Sequence, residues 1–124
     1  MYRVGGDDMV HVRFREIVID CTDPRTLAAF WAEFTGYERR AWHEDLATIG
    51  TPDESMIIGF QQVPEGKIVK NRVHLDFSAA DEEATALEIE ALGAARLSVS
   101  EDPEDPFVVL ADPEGNEFCI VRAG

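Results

Sequence analysis

The stretch EIVIDCTDPRTLAAFWAEFTGYERR, residues 16–40, occurs a second time in altered form as HLDFSAADEEATALEIEALGAARL, residues 74–97. The two copies correspond at a shift of 58 positions, which takes residue 16 to residue 74 and Asp23 to Asp81. Each copy has the pattern of an apolar strand, an Asp, an amphipathic helix and a Gly. The chain is therefore predicted to contain one structural unit twice.

Both predicted helices carry start and stop signals. Asp23 can cap the first helix, Pro24 suits its first position, and Gly36 suits the left-handed residue that ends it. Asp81 and the acidic stretch DEEA begin the second helix, and Gly93 ends it. Apolar residues at helical spacing predict the buried faces: Leu27, Phe30, Trp31 and Phe34 in the first helix, Leu87 and Leu92 in the second.

Three short extended segments follow each helix: YERRAW, LATIG and SMIIGFQQV, then ARLSVS, PFVVLA and NEFCIV. At the same shift of 58, GFQQV lies over EFCIV, which pairs Gln61 with Cys119. Each half is thus β-α-β-β-β and too small for a core of its own. We predict an α+β fold of two tandem modules, residues 13–63 and 71–122, in a single domain over residues 1–124.

Composition and residue spacing exclude several classes of partner and site. The 124 residues include 25 acidic and 11 basic side chains, for a net charge of −14, which disfavours nucleic acid. No apolar run is long enough to span a membrane, and the N-terminal sequence MYRVGGDDMVHVRF lacks a signal-peptide pattern, so we expect a cytoplasmic protein. Cys21 and Cys119 are far apart, which indicates neither a disulfide framework nor a zinc knuckle.

Two βαβββ modules in a chain of this length resemble the vicinal oxygen chelate superfamily, which includes glyoxalase I, bleomycin resistance proteins and extradiol dioxygenases. The motifs IVIDCTDPRTLAAFWAEFTGY, HLDF and DPEGNEF carry the resemblance. The segments FQQVPEGKIVKNRVHLDF and DPEGNEFCIV are most similar to small glyoxalase-like domains. The resemblance implies curved mixed sheets around a cleft, a small-molecule ligand and a homodimer. It does not imply one reaction, because the fold hosts several.

The resemblance also implies the position of a metal site. Members that bind a metal place four ligands on the first and last strands, which carry over to Glu16, Gln61, His74 and Cys119. Glu16 and His74 are good ligands for a divalent metal and are also the candidate catalytic residues, whereas Gln61 is a poor ligand. Cys119 replaces a carboxylate, so an oxygen-rich site for nickel, manganese or iron is not reproduced. Glu16, His74 and Cys119 together could hold zinc.

Structural interpretations of the same residues remain open. Cys119 could pack as a small hydrophobe, line a ligand cavity, or serve as a metal ligand or nucleophile. His74 could face a pocket or be hydrogen-bonded in the core, and it is the candidate partner for the carboxylate of Glu16. Asp76 shares a strand face with His74 and could orient the imidazole or lie on the sheet surface. Trp42 is assigned to the ligand site, and the segment WHED around it is more consistent with a turn than with a second metal site.

Two functions from different classes follow. In the first, a glyoxalase-like protein binds an aromatic or otherwise planar small molecule in the cleft between the modules, and its metal site is non-standard or absent. Gln61, Cys119, Asp76 and Trp42 are then ligand-binding residues. In the alternative, Glu16 and His74 serve a metal-dependent lyase, isomerase or dioxygenase that removes a proton next to a carbonyl group. Gln61 and Cys119 favour the first, and the sequence does not decide whether the protein is an enzyme.

Overall fold

The computed structural model describes residues 2–3 and 10–123. A short ladder pairs β1 (Tyr2–Arg3) with β2 (Val10–His11). Module one contains β3 (Ile17–Cys21), α1 (Pro24–Thr35), β4 (Glu38–Trp42), β5 (Leu46–Gly50) and β6 (Ile57–Gln62). Module two contains β7 (Leu75–Ala79), α2 (Glu82–Ala91), β8 (Ala95–Val99), β9 (Phe107–Ala111) and β10 (Glu117–Arg122). The predicted β-α-β-β-β order is confirmed in both halves.

Each module folds into a mixed four-stranded sheet, in the order β3-β6-β5-β4 and β7-β10-β9-β8. The first strand of each module is parallel to the last, and the remaining pairs are antiparallel. The helix of each module packs on one face of its own sheet, which leaves the other face, here called the open face, without a helix. Within residues 2–3 and 10–123, neither helix has the length and apolar character needed to cross a bilayer.

The predicted caps are present. The Asp23 carboxylate accepts hydrogen bonds from the Thr26 N–H and hydroxyl, and the Asp81 carboxylate accepts one from the Ala84 N–H at 3.0 Å. Gly36 adopts the left-handed conformation at φ 74° and donates its N–H to the carbonyl of Ala32. These contacts satisfy backbone groups that the helix itself leaves without partners.

The inward orientation predicted for Leu87 and Leu92 is wrong. Their side chains are 58% and 42% exposed, whereas Ala86 and Ile89 are buried. Ala86 and Ile89 are three residues apart and share the face that packs on the sheet. Leu87 is one position, or about 100°, around the helix from Ala86, and Leu92 follows the last helical residue.

The register of the last strands also differs from the prediction. Ile17 of β3 pairs with Ile58 of β6, whereas Leu75 of β7 pairs with Phe118 of β10. The first strands therefore correspond at a shift of 58, but residue 58 corresponds to residue 118, a shift of 60. The connection between β8 and β9 is four residues longer than the connection between β4 and β5, and slightly shorter segments elsewhere in module two reduce the net offset to two residues. Cys119 consequently corresponds to Gly59 and Gln61 to Val121, so the predicted pairing of Gln61 with Cys119 is wrong.

Aromatic side chains of α1 join the two modules. The ring centroid of Trp31 lies 6.0 Å from that of Phe60 in its own sheet, and 5.9 and 5.1 Å from those of Phe77 and Phe118 in the other sheet. Phe34 stacks on Phe118 at 5.1 Å. One hydrophobic cluster thus contains buried residues of both modules, which compensates for the small area that either sheet covers alone.

A polar contact reinforces this junction. The indole N–H of Trp31 donates to Asp112 Oδ2 at 2.9 Å, and the Asp112 side chain also accepts from the N–H groups of Glu114 and Asn116. The Glu114 carboxylate in turn accepts from the N–H groups of Thr22 and Asp23, at the start of α1. The motif DPEGN, residues 112–116, therefore connects module two to module one.

We expect Trp31→Phe to lower the free energy of unfolding by about 2 kcal/mol, because it leaves the buried Asp112 carboxylate without one donor. Urea unfolding followed by far-ultraviolet circular dichroism measures the loss. Trp42→Phe is the matched control, since in the described part of the chain the Trp42 indole N–H has no hydrogen-bond partner. Equal losses in both variants would show that indole volume, not the hydrogen bond, matters.

Candidate functional site

The residues predicted for the site lie mostly on the open faces. Along β7, β9 and β10, side chains that point into the core alternate with side chains that point away from α2. Because Asp76 pairs with Cys119, and Cys119 with Val109, these three residues share one face. His74 precedes β7 and belongs to the same face, two residues before Asp76.

His74, Asp76 and Cys119 form a compact cluster. His74 Nε2 lies 3.3 Å from Asp76 Oδ1, and the potential ligand atoms of all three residues lie within 4.8 Å of one another. The imidazole and the carboxylate are about half exposed, while Cys119 is buried at 9% exposure. The contact expected between Asp76 and the imidazole is therefore present.

The environment of Cys119 favours the thiol over the thiolate. Burial raises the pKa of the Cys119 thiol, and the charge of Asp76 and a hydrogen bond to its carboxylate raise this pKa further. A nucleophilic cysteine instead needs an environment that lowers its pKa. The nucleophile interpretation of Cys119 is therefore disfavoured, and a thiol that lines a cavity fits better.

The cluster borders a cavity of about 340 Å³ on the open face of module two. Apolar side chains form its floor, namely Phe107, Val109 and Val121. Polar side chains surround them: Lys70, His74, Asp76, Asp105 and Glu117. A second hollow of about 240 Å³ between β3 and residues 71–75 is lined by none of the residues predicted for the site.

Glu16 lies apart from the cluster. Its carboxylate faces Gly59 on the open face of module one, where a Cβ added to Gly59 would lie 3.1 Å from Glu16 Oε1. Glu16 Oε2 is 3.5 Å from Arg15 Nε. The group of three metal-ligating side chains does not include Glu16. Within one chain, Glu16 therefore does not join His74, and the carboxylate beside the imidazole is that of Asp76.

Gln61 and Trp42 also lie outside the cluster. Gln61 is exposed, two residues beyond Gly59 on the open face of module one. Trp42 pairs with Ala47, which is buried under α1, so its ring faces the helix side of the sheet. The guanidinium of Arg39 stacks on this ring at 4.1 Å. The predicted ligand-binding position of Trp42 is therefore not supported, because Trp42 and the cavity belong to different faces and different modules.

Glu117 borders the cavity, although the sequence analysis did not select it. Its buried carboxylate accepts hydrogen bonds from Lys67 Nζ at 2.7 Å and from the Asn71 N–H at 2.8 Å. Lys70 Nζ lies 3.6 Å away, and Asn71 Nδ2 donates to the Glu117 carbonyl. Glu117 thereby holds residues 67–71 at the rim of the open face. A glutamate at the start of the apolar run FCIV was the available signal.

Comparisons with known proteins agree with this architecture. The profile of a family described as glyoxalase-like domain matches residues 16–121. No curated protein sequence matches. One similar structure is a glyoxalase/bleomycin resistance protein/dioxygenase family enzyme from Burkholderia phytofirmans PsJN, with 21% identity and a TM-score of 0.71 over 87% of this chain and 96% of that chain.

Two further structures contain ligands. A variant of the fosfomycin resistance protein FosX from Listeria monocytogenes, in complex with manganese(II) and 1S,2S-dihydroxypropylphosphonic acid, has 13% identity and a TM-score of 0.73 over 90% of each chain. The bleomycin-binding protein of Streptomyces verticillus, in complex with copper(II)-bleomycin, has 19% identity and a TM-score of 0.59 over 92% of this chain and 100% of that chain. At such identities, the likeness concerns the fold alone.

The ion pairs of Glu117 make the folding stability of the protein depend on pH. Burial raises the pKa of the Glu117 carboxyl, but the hydrogen bonds from Lys67 and Asn71 and the charges of Lys67 and Lys70 outweigh it, so that the pKa falls below its usual 4.5. A group whose pKa is lowered by folding stabilises the fold at pH values above its unfolded-state pKa. This contribution is lost as the pH falls through the folded-state pKa.

We therefore expect Glu117→Gln to lower the urea midpoint clearly at neutral pH and much less well below pH 4.5, where the wild-type carboxyl is protonated as well. Urea titrations across this range measure the difference between the two proteins. Glu104→Gln, at an exposed turn position, is the control and should change neither midpoint. A difference between wild type and Glu117→Gln that is independent of pH would contradict this role of the charge.

Proposed function

The chain belongs to the glyoxalase-like domain family of the vicinal oxygen chelate superfamily, and on this premise we propose that it binds a small molecule in the cavity of module two. The cavity itself carries the proposal, because it combines an apolar floor with convergent polar side chains. Its volume of about 340 Å³ is at the lower end of the range of about 300–1,000 Å³ typical of ligand sites. The sequence predicted a ligand site in a cleft between the two modules, whereas the site proposed here lies on the open face of module two.

The shape of this face favours a small planar ligand. Phe107 offers a ring and Val109 and Val121 offer branched side chains, which suit stacking and apolar contact. His74, with its imidazole beside Asp76, and Lys70 supply hydrogen-bonding groups at the rim. The ligands of FosX and of the bleomycin-binding protein support the idea that this fold accommodates small molecules.

A hard-metal site of the glyoxalase type does not fit the residues present. The register places Gly59, which has no side chain, at the last-strand position of module one. Cys119 offers sulfur where nickel, manganese or iron would need oxygen, and Glu16 is outside the cluster. We therefore assign no metal-assisted lyase, isomerase or dioxygenase step to Glu16 and His74.

We further propose that the protein is a homodimer. Val12 and Phe14, just before β3, expose 87% and 71% of their surface, and Val18 of β3 and Val73, which line the second hollow, are exposed as well. Exposed apolar side chains concentrated in one region are typical of protein interfaces. A cytoplasmic location stays a prediction from the N-terminal sequence.

We expect small planar aromatic compounds to bind weakly and to shift the amide resonances of Val109, Cys119 and Val121 in two-dimensional NMR titrations. Val121→Phe should weaken binding about tenfold, because the larger ring fills the cavity floor. Val18→Phe makes the same change on the open face of module one and should leave affinity unchanged. Shifts confined to residues 17–19 and 71–75 would place binding in the other hollow and contradict the proposal.

For the homodimer, sedimentation equilibrium should give twice the chain mass. The double variant Val12→Ser and Phe14→Ser should raise the dissociation constant about tenfold or more, since burial of one Phe contributes about 1.5–3 kcal/mol. Ile68→Ser, at an exposed apolar position in the linker between β6 and β7, is the control. A monomer at all accessible concentrations would exclude the dimer.

A further inference from the structure

We propose that the second hollow, between β3 and residues 71–75, is a separate binding site for a small apolar monocarboxylate, and that Arg72 binds the carboxylate group. The site goes beyond the proposed function, since of the residues that border it only Glu117 also borders the cavity of module two. An unpaired guanidinium, an apolar lining and a locally positive charge together point to this class of ligand.

The hollow exists because the two sheets do not join at their edges. β3 and β7 are each the edge strand of a four-stranded sheet, and no ladder pairs one with the other in the structure described. The modules meet instead through the Trp31 ring, which packs against Phe60, Phe77 and Phe118. A gap of about 240 Å³ therefore remains between β3 and the segment that leads into β7.

Apolar side chains of both modules line this gap. They are Ile17, Val18 and Ile19 of β3, Trp31 of α1, Val73, and Leu75 at the start of β7. Val18 and Val73 are 46% and 78% exposed, so apolar surface around the gap remains in contact with water. A ligand with an apolar body that covers this surface gains the free energy of removing it from water.

Arg72 is the one cationic side chain that the described residues contribute to the lining, and it is exposed. Although acidic residues outnumber basic ones 25 to 11, Arg72 forms no ion pair within residues 2–3 and 10–123. A guanidinium binds a carboxylate through two parallel hydrogen bonds. The free guanidinium at the gap therefore offers a carboxylate a specific partner.

The segment around Arg72 is positive in an otherwise acidic protein. Residues 66–73 contain Lys67, Lys70 and Arg72 and no acidic side chain. Glu117 also borders the hollow, but its carboxylate is 2.7 Å from Lys67 Nζ and 3.6 Å from Lys70 Nζ. Because these two lysines compensate the charge of Glu117, an anion beside Arg72 meets net positive surroundings.

Volume and charge define the ligand class. About 240 Å³ is below the range of roughly 300–1,000 Å³ of most ligand sites, so the apolar body is about the size of one six-membered ring. One guanidinium balances one negative charge. The side-chain amides of Asn71 and Asn116 donate to Glu117 and Asp112, which leaves Arg72 as the donor for the ligand. A monocarboxylate with a ring or a short branched chain meets these conditions.

The test is a two-dimensional NMR titration of the full chain with cyclohexanecarboxylate, which is not planar and therefore differs from the ligands expected in module two. We expect saturable shifts of the amide resonances of residues 17–19 and 73. Cyclohexanecarboxamide, which has the same shape without the charge, should bind at least about tenfold more weakly. Equal affinity for the two compounds, shifts confined to Val109, Cys119 and Val121, or no saturable shift would each overturn the proposal.

Arg72→Gln should weaken binding of the carboxylate about tenfold and leave binding of the carboxamide unchanged, because it removes the charged partner alone. Arg25→Gln is the matched control, since Arg25 is also exposed but lies outside the hollow. Circular dichroism checks that both variants are folded. Unchanged affinity for the carboxylate in Arg72→Gln would refute the role of Arg72.

The outcome is separable from that of the proposed function. Val18→Phe should weaken binding of the carboxylate, because Val18 lines the hollow, whereas Val121→Phe should leave it unchanged. The reverse is expected for planar aromatic compounds. Loss of carboxylate binding in Val121→Phe would assign both kinds of ligand to the cavity of module two and overturn the second site.

The outcome is also separable from that of the homodimer. The double variant Val12→Ser and Phe14→Ser should bind cyclohexanecarboxylate with the affinity of the wild type, because neither residue lines the hollow. Loss of affinity in this variant would place the ligand at the interface between two chains and refute a site formed within one chain.

Discussion

The buried contact between the Trp31 indole and the Asp112 carboxylate is the interaction on which the arrangement of this protein depends. It joins a helix of module one to the turn that leads directly into β10 of module two. The same turn also contacts the start of α1, where the Glu114 carboxylate accepts hydrogen bonds from backbone N–H groups. The two modules are therefore joined both by aromatic packing and by hydrogen bonds. Cys119 and Glu117 therefore stand on a strand that this junction holds in place.

The two modules have the same architecture but different surfaces. Alternation along each strand puts every second residue on an open face, so equivalent positions can diverge without disturbing the core. His74, Asp76 and Cys119 in module two correspond to Glu16, Val18 and Gly59 in module one. Only the first set brings nitrogen, oxygen and sulfur atoms together. The duplicated fold thus carries its candidate chemistry on one side.

The linker takes part in the same asymmetry. Its residues 67–71 are held by the carboxylate of Glu117, which belongs to module two and also borders the cavity. A buried carboxylate needs such partners, because an unpaired charge would be costly to remove from water. The contacts that satisfy Glu117 consequently shape one wall of the candidate site.

The sequence by itself determined what short-range patterns encode. Asp23 and Asp81 as caps, Gly36 as a helix end, and the β-α-β-β-β order in both halves follow from local turn and helix chemistry, and all are present. The shared face of His74 and Asp76 follows from the alternation of side chains along the extended segment HLDF, which leads into β7. The family identification came from motifs of the same local kind.

Only the tertiary structure decided which residues meet. The counterpart of Gln61 is Val121, two residues beyond the predicted Cys119, because the connections between strands differ in length, which strand patterns do not reveal. A bulge in β4 between Arg39 and Trp42 puts Trp42 on the helix side. The separation of Glu16 from His74, and the meeting of Asp76 with Cys119, depend on strand pairing over more than 40 residues, and such distant pairing leaves no signature in local sequence.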